Sequence, residues 1–283
     1  WVAATRPRTL PASLAPVIVG TGAAATLGGA AWLPAILAGV VALALQIGVN
    51  YANDYSDGIR GTDDNRVGPF RLVGSGAAQP RAVRNAAFGC FAVAALAGLV
   101  IAASTGHWWL LIVGAASVAA AWYYTGGKRP YGYAGLGEVF VFVFFGLVAV
   151  LGTTYVQADR IGGVAVAGAV CVGFLACAIL VANNLRDVPT DTLAAKMTLA
   201  VRIGERRTRQ LYAGLLAGSF VAALLCAPWH PWVLLVLAAA ALAQRPLRTV
   251  LSGARGRDLV PVLKETGQLE LFVGVLLAVG LAL

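Results

Sequence analysis

The chain has 283 residues, of which 59% are hydrophobic and only 12% charged, and its net charge is +9. Soluble domains carry about 25% charged residues, so this composition excludes an ordinary water-soluble fold and indicates helices solvated by lipid. The positive excess does not indicate nucleic acid, because the Lys and Arg residues are spread over the connections between apolar runs.

Read from the start, the chain opens on Trp1 with no separable signal peptide, which leaves its natural start open. Apolar periodicity and length predict nine membrane helices over residues 11–29, 33–53, 85–104, 108–125, 138–157, 164–182, 210–227, 230–245 and 267–283, the eighth being the weakest. Cys90, Cys171, Cys177 and Cys226 fall inside these runs without a C-x-x-C pair, so they read as small core residues. The fold class expected is an all-α integral membrane bundle forming one domain over 1–283. Its halves would be about 1–137 and 138–245, followed by the last helix, 267–283.

The connections alternate in character. Those at 28–32, 105–108, 158–163 and 227–230 are short and nearly uncharged, whereas those at 54–84, 126–137, 183–209 and 246–266 are long and basic. Together with the N-terminal stretch holding Arg6 and Arg8, and Arg245 at a margin, the long set holds every one of the 21 Lys and Arg residues except Arg160. Cytoplasmic loops are enriched in Lys and Arg, so the N-terminus and the long loops are expected inside and the C-terminus outside. Trp32, Trp108, Trp109, Trp229 and Trp232 gather near the short outer turns, as an interfacial aromatic belt does. His107 and His230 lie in the same turns, away from the acidic residues, and are not expected to be catalytic.

Two stretches break the apolar pattern. Asn50, Asn53, Asp54 and Asp57 close the second span at i, i+3, i+4 and i+7, one stripe of a helix, and Asp63 and Asp64 follow. Asn183, Asp187 and Asp191 close the sixth span on one face, beside Asn184 and Arg186, with Pro189 expected to bend or end the helix. Carboxylates aligned on one face repel unless a cation lies between them. Oxygen donors alone suit Mg²⁺, which keeps waters and bridges carboxylates to substrate phosphates. One such run alone can also be read as solvated loop acids, but two similar runs, each ending an even-numbered span, point to a shared site. Arg60, Arg66 and Arg71 follow the first run, Lys128 and Arg129 sit in loop 126–137, and Arg186, Lys196 and Arg202 flank the second. Acids that hold Mg²⁺ beside cations that take phosphate oxygens form a diphosphate clamp. Lys128 and Lys196 are the favoured cations, while Arg206, Arg207 and Arg209 read as flanking charge. There is no G-x-x-x-x-G-K-[ST] loop, which removes an ATPase reading.

At these runs the chain resembles the UbiA superfamily of intramembrane prenyltransferases. The resemblance is carried by Arg6-Pro-Arg-Thr-Leu-Pro11, Asn50 to Asp64 with Arg66-Val-Gly-Pro69, and Tyr124-Thr-Gly-Gly127 leading to Tyr131-Gly-Tyr133. It continues through Gly135-Leu-Gly-Glu138, Val141 to Gly146, Asn183 to Asp191, Thr198 to Gly204 and Leu263 to Gly267. It implies a nine-helix bundle with a central apolar cavity opening near the cytoplasmic side, two Asp-rich motifs, Mg²⁺, and a polyprenyl diphosphate as donor. Within the family it points to the branch whose acceptor is 1,4-dihydroxy-2-naphthoate, with loss of the ring carboxylate, in a cell membrane and with membrane lipid as the solvent. The site residues implied are Asp54, Asp57, Asp187 and Asp191 for metal and diphosphate, with Asn50, Asn53, Asn183 and Asn184 assisting. Arg8, Tyr124, Lys128 and Glu138 are implied for positioning substrate. The first motif departs from the family's N-D-x-x-D-x-x-x-D pattern, since Gly61 stands at the last position; the next acid, Asp63, either takes that metal-binding role with shifted spacing or is a loop acid. Another aromatic acceptor such as 4-hydroxybenzoate is the nearest alternative. A cation transporter is a remote one, because transporters place charges near the midplane and both acidic runs here sit at span ends.

Overall fold

The computed structural model describes residues 1–61 and 70–283, and every regular element among them is helical. In chain order the long helices are α1 (Pro11–Ala25), α2 (Trp32–Ile59), α3 (Pro80–Thr105), α4 (Leu110–Tyr123), α5 (Gly137–Ala158), α6 (Gly163–Leu193), α7 (Leu199–Leu224), α8 (Pro231–Leu251) and α9 (Val260–Ala282). Proline starts α1, α3 and α8, where its missing N–H is one the helix leaves unpaired anyway, and Gly106 at φ 77° closes α3. Among the described residues, six helices are long and apolar enough to cross a membrane: α2, α3, α5, α6, α8 and the segment Gly256–Ala282 that contains α9. Helices α1 and α4 are apolar but shorter. The outer surface is studded with exposed Leu96, Ile112, Val221 and Leu225, as a lipid-facing surface requires.

The expected spans fall on these helices, with shifted ends. Helix α2 runs on to Ile59 and α6 to Leu193, so both acidic runs are helical throughout and not loop segments. Pro189 does not end α6. The neighbouring hydroxyls of Thr190 and Thr192 bond back to the carbonyls of Asp187 and Val188 across that turn. Helix α7 begins at Leu199, well before the expected 210, and is broken at Gly204, whose φ of 77° lies in the region glycine alone enters freely. Arg209, expected to be flanking charge, is instead buried. It donates to the carbonyls of Val250 at 2.6 Å and Ala254 at 2.8 Å, tying α7 to the end of α8. The weakest expected span, α8, opens with a 3₁₀ stretch over Pro231–Ala239.

Helix α6 is the hub. Its apolar window is 67% buried, against 17–50% for the other five membrane-length segments. It packs against α1, α5, α7 and α9, and these helices with α8 share the larger apolar core. Helices α2, α3 and α4 form a smaller one with the N-terminal strap, around Tyr51, Leu72 and Phe91. Small residues set the approach distances. A Cβ on Gly22 of α1 would fall 2.6 Å from Ala278 Cα on α9, so the two backbones pack nearly in contact. In α5 the turns over Phe142–Val148 are π-helical, and Gly146 within them meets Gly173 of α6. The indoles of Trp32, Trp108, Trp109, Trp229 and Trp232 are all exposed, as expected for a belt. His107 lies 2.9 Å from Asp159 in the turns at that end of the bundle.

Candidate functional site

Because α2 stays helical to Ile59, Asn50, Asn53, Asp54 and Asp57 form the expected stripe, and all four are buried. Their partners differ. Asn50 Nδ2 donates to the Thr5 carbonyl at 2.8 Å, and Gln46 Nε2 to Thr9 Oγ1 at 3.1 Å, which straps the N-terminal segment across α2. Asn53 Oδ1 accepts the Thr125 hydroxyl at 2.8 Å. Asp54, at 1% exposure, accepts the backbone N–H groups of Leu72 (2.8 Å) and Val73 (3.0 Å), one on each carboxylate oxygen. Asp57 accepts the Tyr133 hydroxyl at 2.8 Å on Oδ1 and lies 3.3 Å from Arg71 Nη2 on Oδ2.

The second run is equally enclosed. Arg186 and Asp187 are both 3% exposed and form a bidentate pair, with both N–O distances 2.7 Å. Arg186 Nη2 also reaches Asn183 Oδ1 at 2.8 Å. Asp191 Oδ1 lies 3.7 Å from Lys196 Nζ. Asn184 Nδ2 donates to Glu138 Oε1 at 3.0 Å, which brings the start of α5 to the same place. Glu138 Oε2 is buried with no hydrogen-bond partner among the described residues.

Between the runs lies the segment from Tyr124 to Glu138. Tyr131–Ala134 is a 3₁₀ turn ended by Gly135 at φ 78°, and Gly132 N–H bonds to the Tyr124 carbonyl at 3.0 Å. Arg60 donates to the carbonyls of Thr125 and Gly127, pinning the segment to the end of α2. The Tyr133 ring lies under two cations, with the Arg60 guanidinium 5.3 Å and the Lys196 ammonium 5.2 Å from its centroid. A continuous path therefore runs from Asp57 through Tyr133 and Lys196 to Asp191. Burial is the main cause that pushes the Tyr124 phenol far above its ordinary range, followed by the charges of Glu138, Tyr131, Asp57 and Asp191. Burial alone raises Tyr131. Both phenols stay neutral donors at working pH.

The structure thus gathers Asn50, Asn53, Asp54, Asp57, Arg60, Tyr124, Glu138, Asn183, Asn184, Arg186, Asp187, Asp191 and Lys196 at one end of the bundle. Other expected residues stand apart. Arg8 is exposed on the strap, and what touches α9 there is its carbonyl, which a Cβ on Gly267 would meet at 3.0 Å. Lys128 is exposed on its turn. Arg202 donates to the Met197 carbonyl and packs on Gly135 at the rim. Asp63 and Arg66 lie outside the described residues. Arg71 and Tyr133 belong to the site but were not singled out as site residues. Arg71 was visible only as one of several loop cations, and Tyr133 only as part of a tyrosine-rich turn.

The donor set is one of hard oxygen atoms. The buried donors of the two runs are carboxylate and amide oxygens, and among the described residues no three Asp, Glu, His or Cys side chains close around one point. Oxygen donors of this kind are those a hard divalent cation takes.

Comparison with known proteins agrees. The model of the UbiA prenyltransferase family matches residues 13–255. The chain is 58% identical over 267 residues to a 1,4-dihydroxy-2-naphthoate octaprenyltransferase of Mycobacterium tuberculosis, covering 94% of this chain and 91% of that protein. It is 38% identical to the protein of the same name from Escherichia coli, covering 100% and 95%. In three dimensions it is similar to an apo UbiA homolog from Aeropyrum pernix, with a TM-score of 0.72 at 15% identity and 96% of each chain covered. It is also similar to a UbiA homolog from Archaeoglobus fulgidus bound to GPP and Mg²⁺, with a TM-score of 0.63 at 14% identity and 98% of each chain covered.

Proposed function

Because the chain belongs to the UbiA prenyltransferase family, we propose that it transfers a polyprenyl group from a polyprenyl diphosphate to 1,4-dihydroxy-2-naphthoate. The ring carboxylate leaves as CO₂, and the products are diphosphate and demethylmenaquinol, the reduced form of demethylmenaquinone. The observation that carries this reading is the meeting of two buried acidic runs around one segment, each with cations against its carboxylates.

Asp57, Asp187 and Asp191 would hold Mg²⁺, with the amides of Asn53 and Asn183 beside them. When bound there, the ion supplies neutralisation of the diphosphate as it leaves. The side chains around it are paired in advance: Arg71 with Asp57, Arg186 with Asp187, and Lys196 with Asp191. An ion pair left buried with one partner missing costs several kcal/mol, so a site for a charged ligand needs an exchange of partners. On binding, the three cations would turn to phosphate oxygens and leave the carboxylates to hold the ion, so that no charge is stranded. The same cations then stabilise the negative charge that builds on the leaving diphosphate as the allylic C–O bond breaks.

The apolar bundle shields the allylic cation from water and houses the isoprenoid tail. Glu138 is buried beside Asn184, with one oxygen unpartnered, and orients a hydroxyl of the naphthoate. Tyr124, held neutral, donates nearby. Lys128 and Arg8, both exposed, attract the anionic substrates to the mouth. We read the nine helices as nine crossings. The loop charge favours a cytoplasmic N-terminus and a cytoplasmic site, reached by the donor and the naphthoate from the cytosol, with the C-terminus outside.

The test is product analysis by mass spectrometry. Purified chain is incubated with Mg²⁺ and a long prenyl diphosphate, together with either 1,4-dihydroxy-2-naphthoate or 4-hydroxybenzoate. The expected product has the mass of the naphthoate plus the prenyl group minus CO₂. Prenylation of 4-hydroxybenzoate alone, or of neither acceptor, overturns the reading.

A further inference from the structure

Tyr133 touches both halves of the cluster. Its hydroxyl donates to Asp57 at 2.8 Å, while its ring lies 5.2 Å from the ammonium of Lys196, itself 3.7 Å from Asp191. The two functions of the residue are chemically separate. The hydroxyl fixes a carboxylate oxygen in direction, as a charge-assisted hydrogen bond does. The ring holds a cation by its quadrupole and needs no hydroxyl to do so. The turn that carries Tyr133 is anchored independently, by Arg60 on the carbonyls of Thr125 and Gly127 and by Tyr131, whose hydroxyl donates to the Ala120 carbonyl at 2.8 Å. The position of Tyr133 is therefore set from outside, and its own contacts are left to orient others.

We propose that Tyr133 is a positioning residue that couples the two acidic runs, its hydroxyl aiming Asp57 and its ring holding Lys196 beside Asp191, so that both runs engage one diphosphate together. The proposal rests on the prenyl-transfer reading above and names a residue that makes that site act as a unit.

The experiment compares Tyr133→Phe, Tyr133→Leu and Tyr131→Phe in the full chain, purified in detergent. Three quantities are measured: the Mg²⁺ concentration for half-maximal rate, the KM for the prenyl diphosphate, and calorimetric binding of inorganic pyrophosphate with and without Mg²⁺. Tyr133→Phe loses a hydrogen bond to a charged group, so the Mg²⁺ requirement rises about tenfold and Mg²⁺-dependent pyrophosphate binding weakens by a similar factor. The diphosphate KM at saturating Mg²⁺ changes little. Tyr133→Leu also releases Lys196, so that KM rises about threefold as well. Tyr131→Phe lowers the melting temperature and leaves the Mg²⁺ requirement where it was. A Tyr133→Phe variant with wild-type Mg²⁺ and pyrophosphate constants overturns the proposal. So does one that is merely less stable or slower with those constants unchanged, whatever becomes of the leucine variant. Failure of the prenyl-transfer reading is seen separately, as a wild-type chain that binds no pyrophosphate and makes no product.

Discussion

Asp54 and Asp57 sit three residues apart on one helix and look alike in sequence, yet the structure gives them different work, and Asp54→Ala separates the two roles. Asp54 is enclosed and accepts two backbone N–H groups, from Leu72 and Val73. Truncating it removes both acceptors and leaves two enclosed donors without partners. A hydrogen bond to a charged group contributes about 1.5–3 kcal/mol, so the pair contributes about 3–6 kcal/mol, a large share of a typical net stability of about 5–15 kcal/mol. The loss falls on the 71–73 segment, where Leu72 is in the smaller core and Arg71 reaches Asp57. Thermal unfolding of the full chain in detergent should show a midpoint lowered by on the order of 10 °C for Asp54→Ala. Asp54→Asn keeps one acceptor oxygen and should show about half that drop. Asp57→Ala removes a carboxylate proposed for the metal and takes a partner from buried Arg71 and from the Tyr133 hydroxyl, so it should lose turnover and also lower the midpoint. An Asp54→Ala protein with the wild-type midpoint and a raised Mg²⁺ requirement would refute this reasoning, because it would make Asp54 a ligand and not an anchor.

Asp191→Asn keeps the shape of the side chain and removes the charge opposite Lys196; the expected loss in kcat is about 10²–10³-fold, with a higher Mg²⁺ requirement, measured by initial rates across a Mg²⁺ series. Stability should also fall at high pH. Tyr124 and Tyr131 have phenol pKa values raised by burial, so below about pH 10 they are neutral in folded and unfolded chains alike and contribute no pH dependence. Above that value the unfolded chain ionises while the folded chain does not, and stability declines as pH rises toward the folded values. A midpoint series from pH 8 to 11 checks this. Tyr124→Phe with Tyr131→Phe should flatten the decline.

Much of the fold was legible because a membrane imposes one demand on every helix. Length and hydropathy located the helices, with shifted ends. The ends were less legible. Helices α2 and α6 run past their apolar stretches through Asp57 and Asp191, because the acids are covered by other parts of the chain and do not meet water there. Window hydropathy ends a helix where polarity begins, and so it stops short wherever polar residues are buried. The same blindness placed Leu199–Arg209 in a loop, although Arg209 is capped by carbonyls of α8 and the segment is helical on either side of Gly204.

The site divides along the same line. The i, i+3, i+4, i+7 spacing identified a stripe of acids, and the stripe exists. Spacing along one helix says nothing about what lies opposite it, and the opposite groups come from far along the chain. Asp54 is met by Leu72 and Val73, Asp57 by Tyr133, and Glu138 by Asn184. Which acid caps backbone N–H groups and which faces a cation is therefore decided by tertiary contact. That distinction matters for chemistry. A carboxylate held by two amide protons is fixed by the fold and is costly to redirect. One held by arginine, lysine or a phenol can trade its partner for a metal when a phosphate arrives to receive the cation. On the function proposed above, Asp57, Asp187 and Asp191 exchange partners when the ligand binds, while Asp54 holds the backbone of Leu72 and Val73.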